Sequence, residues 1–304
     1  MNQKGSAVIS VYAERKRDHS HGHVGLRSAQ KRFSLQAMSL HIVDRVVSED
    51  DGEGDAVVCI HGLGGSSNTF TPLMPVLGRQ RVLRIDLPGS GRSQIAEGEL
   101  SISRYVRAVI DACAHAGISR AHVVGHSMGT IVAQHLALEA PALVRSLALF
   151  GPLIAPPEPA RAGLLGRAAK ARSEGMAGMH EIVLSLIQAA LSADTRQHQP
   201  LAVAFVRESL MRQEAEAYAR SCEALASATA AAVERIACAV LLVTGDEDGV
   251  APPQSVRAMA DKLRAATTTS VVVLPRCGHW TPVERAAECQ RELLNFWSAN
   301  TRTC

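Results

Sequence analysis

"HVVGHSMGTIVAQHLALEAP", residues 122–141, begins in an apolar, β-branched run and passes through Gly125-His126-Ser127-Met128-Gly129 into apolar residues at helical spacing. A strand, a tight turn and a helix in that order are the setting in which a G-x-S-x-G serine stands accessible at the turn. Bulky neighbours two positions from Ser127 would collide with the adjoining strand and helix, and glycine at 125 and 129 avoids this. The helix that follows places free N–H groups and a positive dipole end near the hydroxyl, which suits an anionic intermediate. Taken alone, the segment leaves two readings open: Ser127 as a helix N-cap, or Ser127 as a nucleophile.

Outward from this seam, short valine-, isoleucine- and leucine-rich runs alternate with longer helical patterns. The runs are "LHIVDRVV" at 40, "AVVCI" at 56, "RVLRI" at 81, "AHVVG" at 121, "VRSLALF" at 144, "CAVLLVTG" at 238 and "TSVVVLP" at 269. Strands alternating with helices predict crossover units and a parallel sheet, and unbroken apolar character predicts strands covered on both faces. Helices are expected over 102–116, 128–139, 254–264 and 283–298. Between Pro152 and about Ala232 the rhythm breaks into alanine-rich helical pattern without a strand, including "GMHEIVLSLIQAAL" and "PLAVAFVRESLMRQEAEAYARSCEALA". We read residues 153–232 as a helical cap inserted into an α/β core made of 38–152 and 233–304.

Residues 1–37 show no sustained periodicity and are expected to be a disordered extension, or an upstream reading from a start codon other than the natural one. Their His19, His21 and His23 form at most a weak metal-binding cluster, because no acidic or cysteine ligand accompanies them. The stretch is polar and basic, unlike a cleaved secretory signal, and no apolar run is long enough to span a bilayer. Seven cysteines at 59, 113, 222, 238, 277, 289 and 304, with no CxxC pair or zinc spacing, suit reduced thiols in a cytoplasmic protein. A net charge of +3 with dispersed arginines does not point to nucleic acid.

Other strand ends bring chemistry to the same edge. "HGLGGSSNTF", residues 61–70, is a flexible loop whose N–H groups can turn toward an oxygen. "DLPGSGRS", residues 86–93, opens with Asp86, read as a turn-organising acid. "VTGDEDGVAPP", residues 243–253, carries Asp246, Glu247 and Asp248, and "LPRCGHWTP", residues 274–282, carries His279. In a parallel sheet these loops emerge at one edge, so Ser127, an acid and His279 are expected to converge. Their convergence favours the nucleophile reading over the N-cap.

The chain resembles the α/β-hydrolase superfamily over residues 40–298, with the order Ser, Asp, His. That resemblance implies a mostly parallel central sheet with helices on both faces and a cap. It implies Ser127 as nucleophile and His279 as general base. The acid of this family lies in a G-x-x-D pattern, which selects Gly245 and Asp248, with Asp246 as the local competitor. It implies an oxyanion hole made by the backbone N–H groups of Leu63 and Met128, and no cofactor or metal.

Serine at the turn excludes members that need a carboxylate there, such as haloalkane dehalogenases and epoxide hydrolases. The single cap, the 61–70 loop, the 86–93 turn and "EAYARSCEALA" at 216 are similar to the group containing 3-oxoadipate enol-lactone hydrolases. The expected substrate is a small carboxylic ester or lactone. An anionic one would meet Arg161, Arg167, Lys170 or Arg172 at the start of the cap, unless these form a solvated helix face. His61-Gly62 is widespread among general esterases and carbon–carbon hydrolases. A carbon–carbon hydrolase of a ring-cleavage product, an acyltransferase or perhydrolase, and a hydrolase-fold ligand sensor therefore remain alternatives.

Overall fold

The computed structural model describes residues 39–43, 45–95 and 97–300. The N-terminal extension and its three histidines lie outside them. Eight strands form one sheet: β1 (Ser39–Val43), β2 (Val46–Asp51), β3 (Ala56–Ile60), β4 (Arg81–Ile85), β5 (Ala121–His126), β6 (Val144–Phe150), β7 (Ala239–Gly245) and β8 (Thr269–Leu274). Their spatial order is β1-β2-β4-β3-β5-β6-β7-β8; β2 runs antiparallel to both its neighbours, β1 and β4, and the remaining neighbouring pairs run parallel. The helices are α1 (Met74–Leu77), α2 (Ile102–His115), α3 (Met128–Glu139), α4 (Glu158–Ala190), α5 (Ala193–His198), α6 (Pro200–Met211), α7 (Ala215–Ala226), α8 (Pro253–Ala260), α9 (Thr281–Glu284) and α10 (Ala286–Asn300).

Burial on both faces explains the unbroken apolar strands. In β3, Val58 and Ile60 enter the core under α2 and α3, while Val57 and Cys59 enter the opposite core against Leu293 and Phe296 of α10. Alternate side chains of one strand thus serve two layers. Helix α3 is sunk so deeply that Ile131, Val132 and Leu136 are fully buried, which fits its apolar pattern. At its start, Gly129 packs so closely on the carbonyls of Ile60 and His61 that any Cβ would overlap them.

Three local features differ from expectation. The run 40–47 reads as one strand, yet the chain reverses at Arg45, whose φ is +67°, and Val43 comes to pair with Val46. The cap pattern at 200–226 divides into α6 and α7, and that at 178–191 belongs to the much longer α4. Gly175 breaks α4 with φ 58° and ψ −129°, a conformation that disfavours residues with a Cβ. Helices α4 to α7 lie between β6 and β7 in the chain, and Leu164, Val206 and Tyr218 extend one sheet-face core upward into them.

Polar anchors fix these helices over the strand ends. Ser209 Oγ donates to the Gly64 carbonyl at 2.9 Å, and Gln213 Nε2 reaches the Gly64 and Gly65 carbonyls at 3.3 Å. On the α2 side, Tyr105 donates to Ser221 Oγ at 3.1 Å.

The tight seat of α3 yields a stability prediction. Gly129→Ala should cost about 3 kcal/mol by overpacking, lowering the melting temperature by roughly 5 °C for a chain this size. Gly166→Ala, at a helical position where a Cβ meets open space, should leave it unchanged or slightly raised. Equal melting of the two variants would contradict the close approach of α3 and β3.

Candidate active site

Ser127 ends β5 and begins the turn into α3 with φ 53° and ψ −121°. Among the described residues only Arg45, Ser127 and Arg276 combine a side chain with positive φ. Its amide donates to the Phe150 carbonyl at 2.9 Å, and its own carbonyl accepts from the Thr130 amide and hydroxyl at 2.8 and 2.6 Å. These bonds hold the turn in its uncommon conformation. The side chain makes no capping bond to the helix, so the hydroxyl is left to other partners.

Its partner is His279, with Nε2 lying 2.8 Å from Ser127 Oγ. On the other side of the ring, Nδ1 lies 2.9 Å from Asp248 Oδ2 and 3.0 Å from Oδ1. A carboxylate facing Nδ1 requires that nitrogen to carry the proton, so Nε2 presents its lone pair to the serine hydroxyl. Asp248 is 2% exposed. Burial pushes its carboxyl up, but the facing His279 and the amides of Ala251 and Val250, at 2.8 and 2.9 Å, outweigh that and hold it below its ordinary range. Asp246 is exposed and its carboxylate instead accepts from the Cys277 amide at 3.0 Å. The structure therefore sets Asp248, and not its neighbour, against the imidazole.

Close backbone approaches bring these loops together. Gly245 lies against the Cys277 carbonyl with no room for a side chain, pressing the exits of β7 and β8 against each other. Gly151 lies against the His279 ring, where a Cβ would come within 2.8 Å of Cε1. Gly62 abuts Ser127, where a Cβ would come within 2.7 Å of the serine Cβ. Leu63 follows Gly62 in this loop, and Met128 opens α3, where an amide has no intrahelical acceptor.

Several supporting residues carried no clear sequence signal. Buried Glu284 accepts from the amides of Ser192, Gly278 and Trp280 at 2.9, 3.0 and 3.0 Å, clamping the turn that bears His279. An acid five residues beyond the histidine, within a short helix, was the only hint. His61 is fully buried; Nδ1 donates to the Gly62 carbonyl at 2.7 Å and Nε2 accepts from the Leu87 amide at 2.9 Å, tying two loops together. Asp86 organises the next turn, accepting from the Ser67 amide at 2.6 Å and Arg92 Nε at 2.8 Å. His126 Nε2 donates to the His279 carbonyl at 3.0 Å, while Nδ1 has no hydrogen-bond partner among the described residues. Burial first, then the proximity of His279, pushes the His126 pKa down to about 3, so the ring is neutral near pH 7.

Above Ser127 and His279 lies a cavity of about 510 Å³, walled by Leu63, Leu153, Leu164, Leu186, Arg167 and Tyr218 among others. No group of three or more metal-ligating side chains occurs among the described residues. None of their helices is long and apolar enough to cross a membrane.

A mostly parallel sheet that carries serine on a sharp strand–helix turn, with the acid and histidine on later strand ends, defines the class. The chain belongs to the alpha/beta hydrolase fold family, which it matches over residues 55–286. It is 32% identical over 260 residues to the dihydrolipoyllysine-residue acetyltransferase component of the acetoin cleaving system of Pseudomonas putida, covering 81% of this chain and 64% of that protein. The chain thus spans less than two thirds of this relative. Among solved structures, the enol-lactonase from Burkholderia xenovorans LB400 is 26% identical with a TM-score of 0.76, over 83% of this chain and 96% of that one. A thermophilic esterase from Thermogutta terrifontis shares the fold, with a TM-score of 0.77 at 23% identity over 84% and 93% of the two chains.

The two aspartates give a direct test of the site geometry. Asp248→Asn should lower turnover of a simple aryl acetate by roughly 10⁴-fold, because an amide can stabilise neither the required tautomer nor the imidazolium. Asp246→Asn, which leaves an acceptor for the Cys277 amide, should stay within about threefold of the parent. Comparable losses in both variants, measured by steady-state kinetics, would contradict the pairing.

Proposed function

We propose that the protein cleaves a small carboxylic ester or lactone through an acyl-enzyme on Ser127. The observation that carries this reading is the hydrogen-bonded line from Asp248 through His279 to Ser127 at the floor of the cavity. A serine hydroxyl attacks poorly at neutral pH until a base takes its proton during attack. His279 Nε2 is placed to accept that proton, while Asp248 holds the ring and stabilises the resulting imidazolium.

Ser127 Oγ then bonds to the substrate carbonyl carbon, and the carbonyl oxygen becomes an oxyanion facing the amides of Leu63 and Met128. Collapse re-forms the carbonyl and breaks the bond to the leaving oxygen, which receives the proton from His279. In a lactone the leaving oxygen remains tethered to the acyl chain; in an ester it departs as an alcohol. Water, deprotonated by the same imidazole, attacks the acyl-enzyme, and His279 returns the proton to Ser127. No step calls on a metal or cofactor.

The cavity volume, about 510 Å³, is in the range of small-molecule sites. The likeness to an enol-lactonase supports the lactone branch, and the odd, scattered cysteines support a cytoplasmic setting. The match to an acetyltransferase component favours a second reading, in which a nucleophile other than water takes the acyl group. Product analysis with competing alcohol or thiol distinguishes the two.

Short-chain methyl esters and enol-lactones should be hydrolysed by the parent protein, and Ser127→Ala should reduce kcat by roughly 10⁴-fold or more. Equal turnover by the parent and Ser127→Ala would overturn the assignment of the nucleophile.

A further inference from the structure

Four cations open the cap, and three of them are engaged within the chain. Arg161 donates to the carbonyls of Ala226 and Ala228 and lies 3.8 Å from Glu158. Lys170 pairs with Glu174 at 3.0 Å and Glu181 at 2.7 Å. Arg172 pairs with Glu216 at 2.8 Å and Glu223 at 2.7 Å. Arg167, half-buried between them, has no carboxylate within ion-pair distance among the described residues, and it lines the same cavity as Ser127 and His279.

A second group beside it is also short of a partner. Tyr218 is 1% exposed, lines the same cavity, and its phenol oxygen has no hydrogen-bond partner of normal geometry among the described residues. Its ring packs near Gly64, in the loop that carries Leu63. The Arg167 guanidinium and the Cys222 thiol both lie close enough to the phenol to act on it, and the guanidinium keeps further N–H donors for a third group. A buried hydroxyl without a partner is costly, and so is a half-buried cation without a counter-charge. One anionic group in the cavity relieves both at once.

We propose that Arg167 and Tyr218 form an anion subsite, and that the substrate is an ester or lactone bearing a carboxylate on the part held under the cap. The inference rests on Ser127 being the nucleophile of this cavity. A guanidinium offers two parallel N–H donors and the phenol a third, which matches the acceptor pattern of a carboxylate. A phosphate dianion would call for more positive charge than one arginine brings. The surrounding leucines suit the methylene chain between carboxylate and ester.

The test uses Ser127→Ala protein, so that binding is read without turnover, and the monomethyl esters of succinate, glutarate and adipate beside neutral methyl esters of equal length. By titration calorimetry, at least one half-ester should bind roughly 10- to 100-fold more tightly than its neutral match, the range of a charge-assisted contact. Adding Arg167→Met should abolish that preference, Arg167→Lys should keep part of it, and Tyr218→Phe should reduce it several-fold. Lys170→Met, which removes an exposed, paired cation, should retain it.

Equal binding of charged and neutral esters, failure to bind any half-ester, or a preference that survives Arg167→Met would each overturn the subsite. If Ser127-containing protein still hydrolyses neutral esters, the nucleophile assignment stands without the subsite. If half-esters bind as expected but the parent and Ser127→Ala turn them over alike, the subsite stands and the nucleophile assignment fails.

Discussion

The site depends on one close approach: the backbone of α3 against the end of β3 at Gly129, which leaves Ser127 in a sharp, positive-φ turn. Such a conformation costs on the order of 1–3 kcal/mol for a residue with a side chain. Burial of most of α3 and the bonds to Phe150 and Thr130 offset it. With the turn fixed, the hydroxyl leaves the helix and meets His279 instead of capping its own N-terminus. The two functions competing for a serine at a helix start are therefore separated by backbone geometry.

Charge is rationed around that hydroxyl. Asp248 is held ionised by amides and by His279, while His61 and His126, both buried, have their pKa values lowered by desolvation. The Asp248 carboxylate thus stands in a site whose two further buried imidazoles, His61 and His126, are disfavoured from charging by that burial. Glu284 and Gly151 act on His279 from either side, one by gathering amides of its turn and the other by letting the ring settle against the chain. Cap residues Ser209 and Gln213 bond the glycine loop from above, so the cap contributes to the placement of Leu63 as well as to the cavity wall.

The alternation of strands and helices was legible in the sequence because parallel strands buried on both faces must be apolar throughout. The run 144–150 coincides with β6, and 128–139 with α3. The β1–β2 reversal was not legible, because Arg45 is an unusual residue for a positive-φ turn. Ser127 and His279 were legible from motif and strand-end position, whereas choosing Asp248 over Asp246 needed the family pattern. Glu284, Gln213 and the Arg167–Tyr218 pair could not be read, since their roles arise from contacts between distant elements. The four cap cations look alike in sequence, and only their partners in space distinguish Arg167.

The central claim, that His279 and Asp248 activate Ser127, is tested most directly by labelling with a fluorophosphonate followed by peptide mass mapping. The account predicts a single rapid adduct on the peptide containing Ser127, with labelling much slower in His279→Ala. An adduct on another residue, or labelling of His279→Ala as fast as the parent, would contradict it.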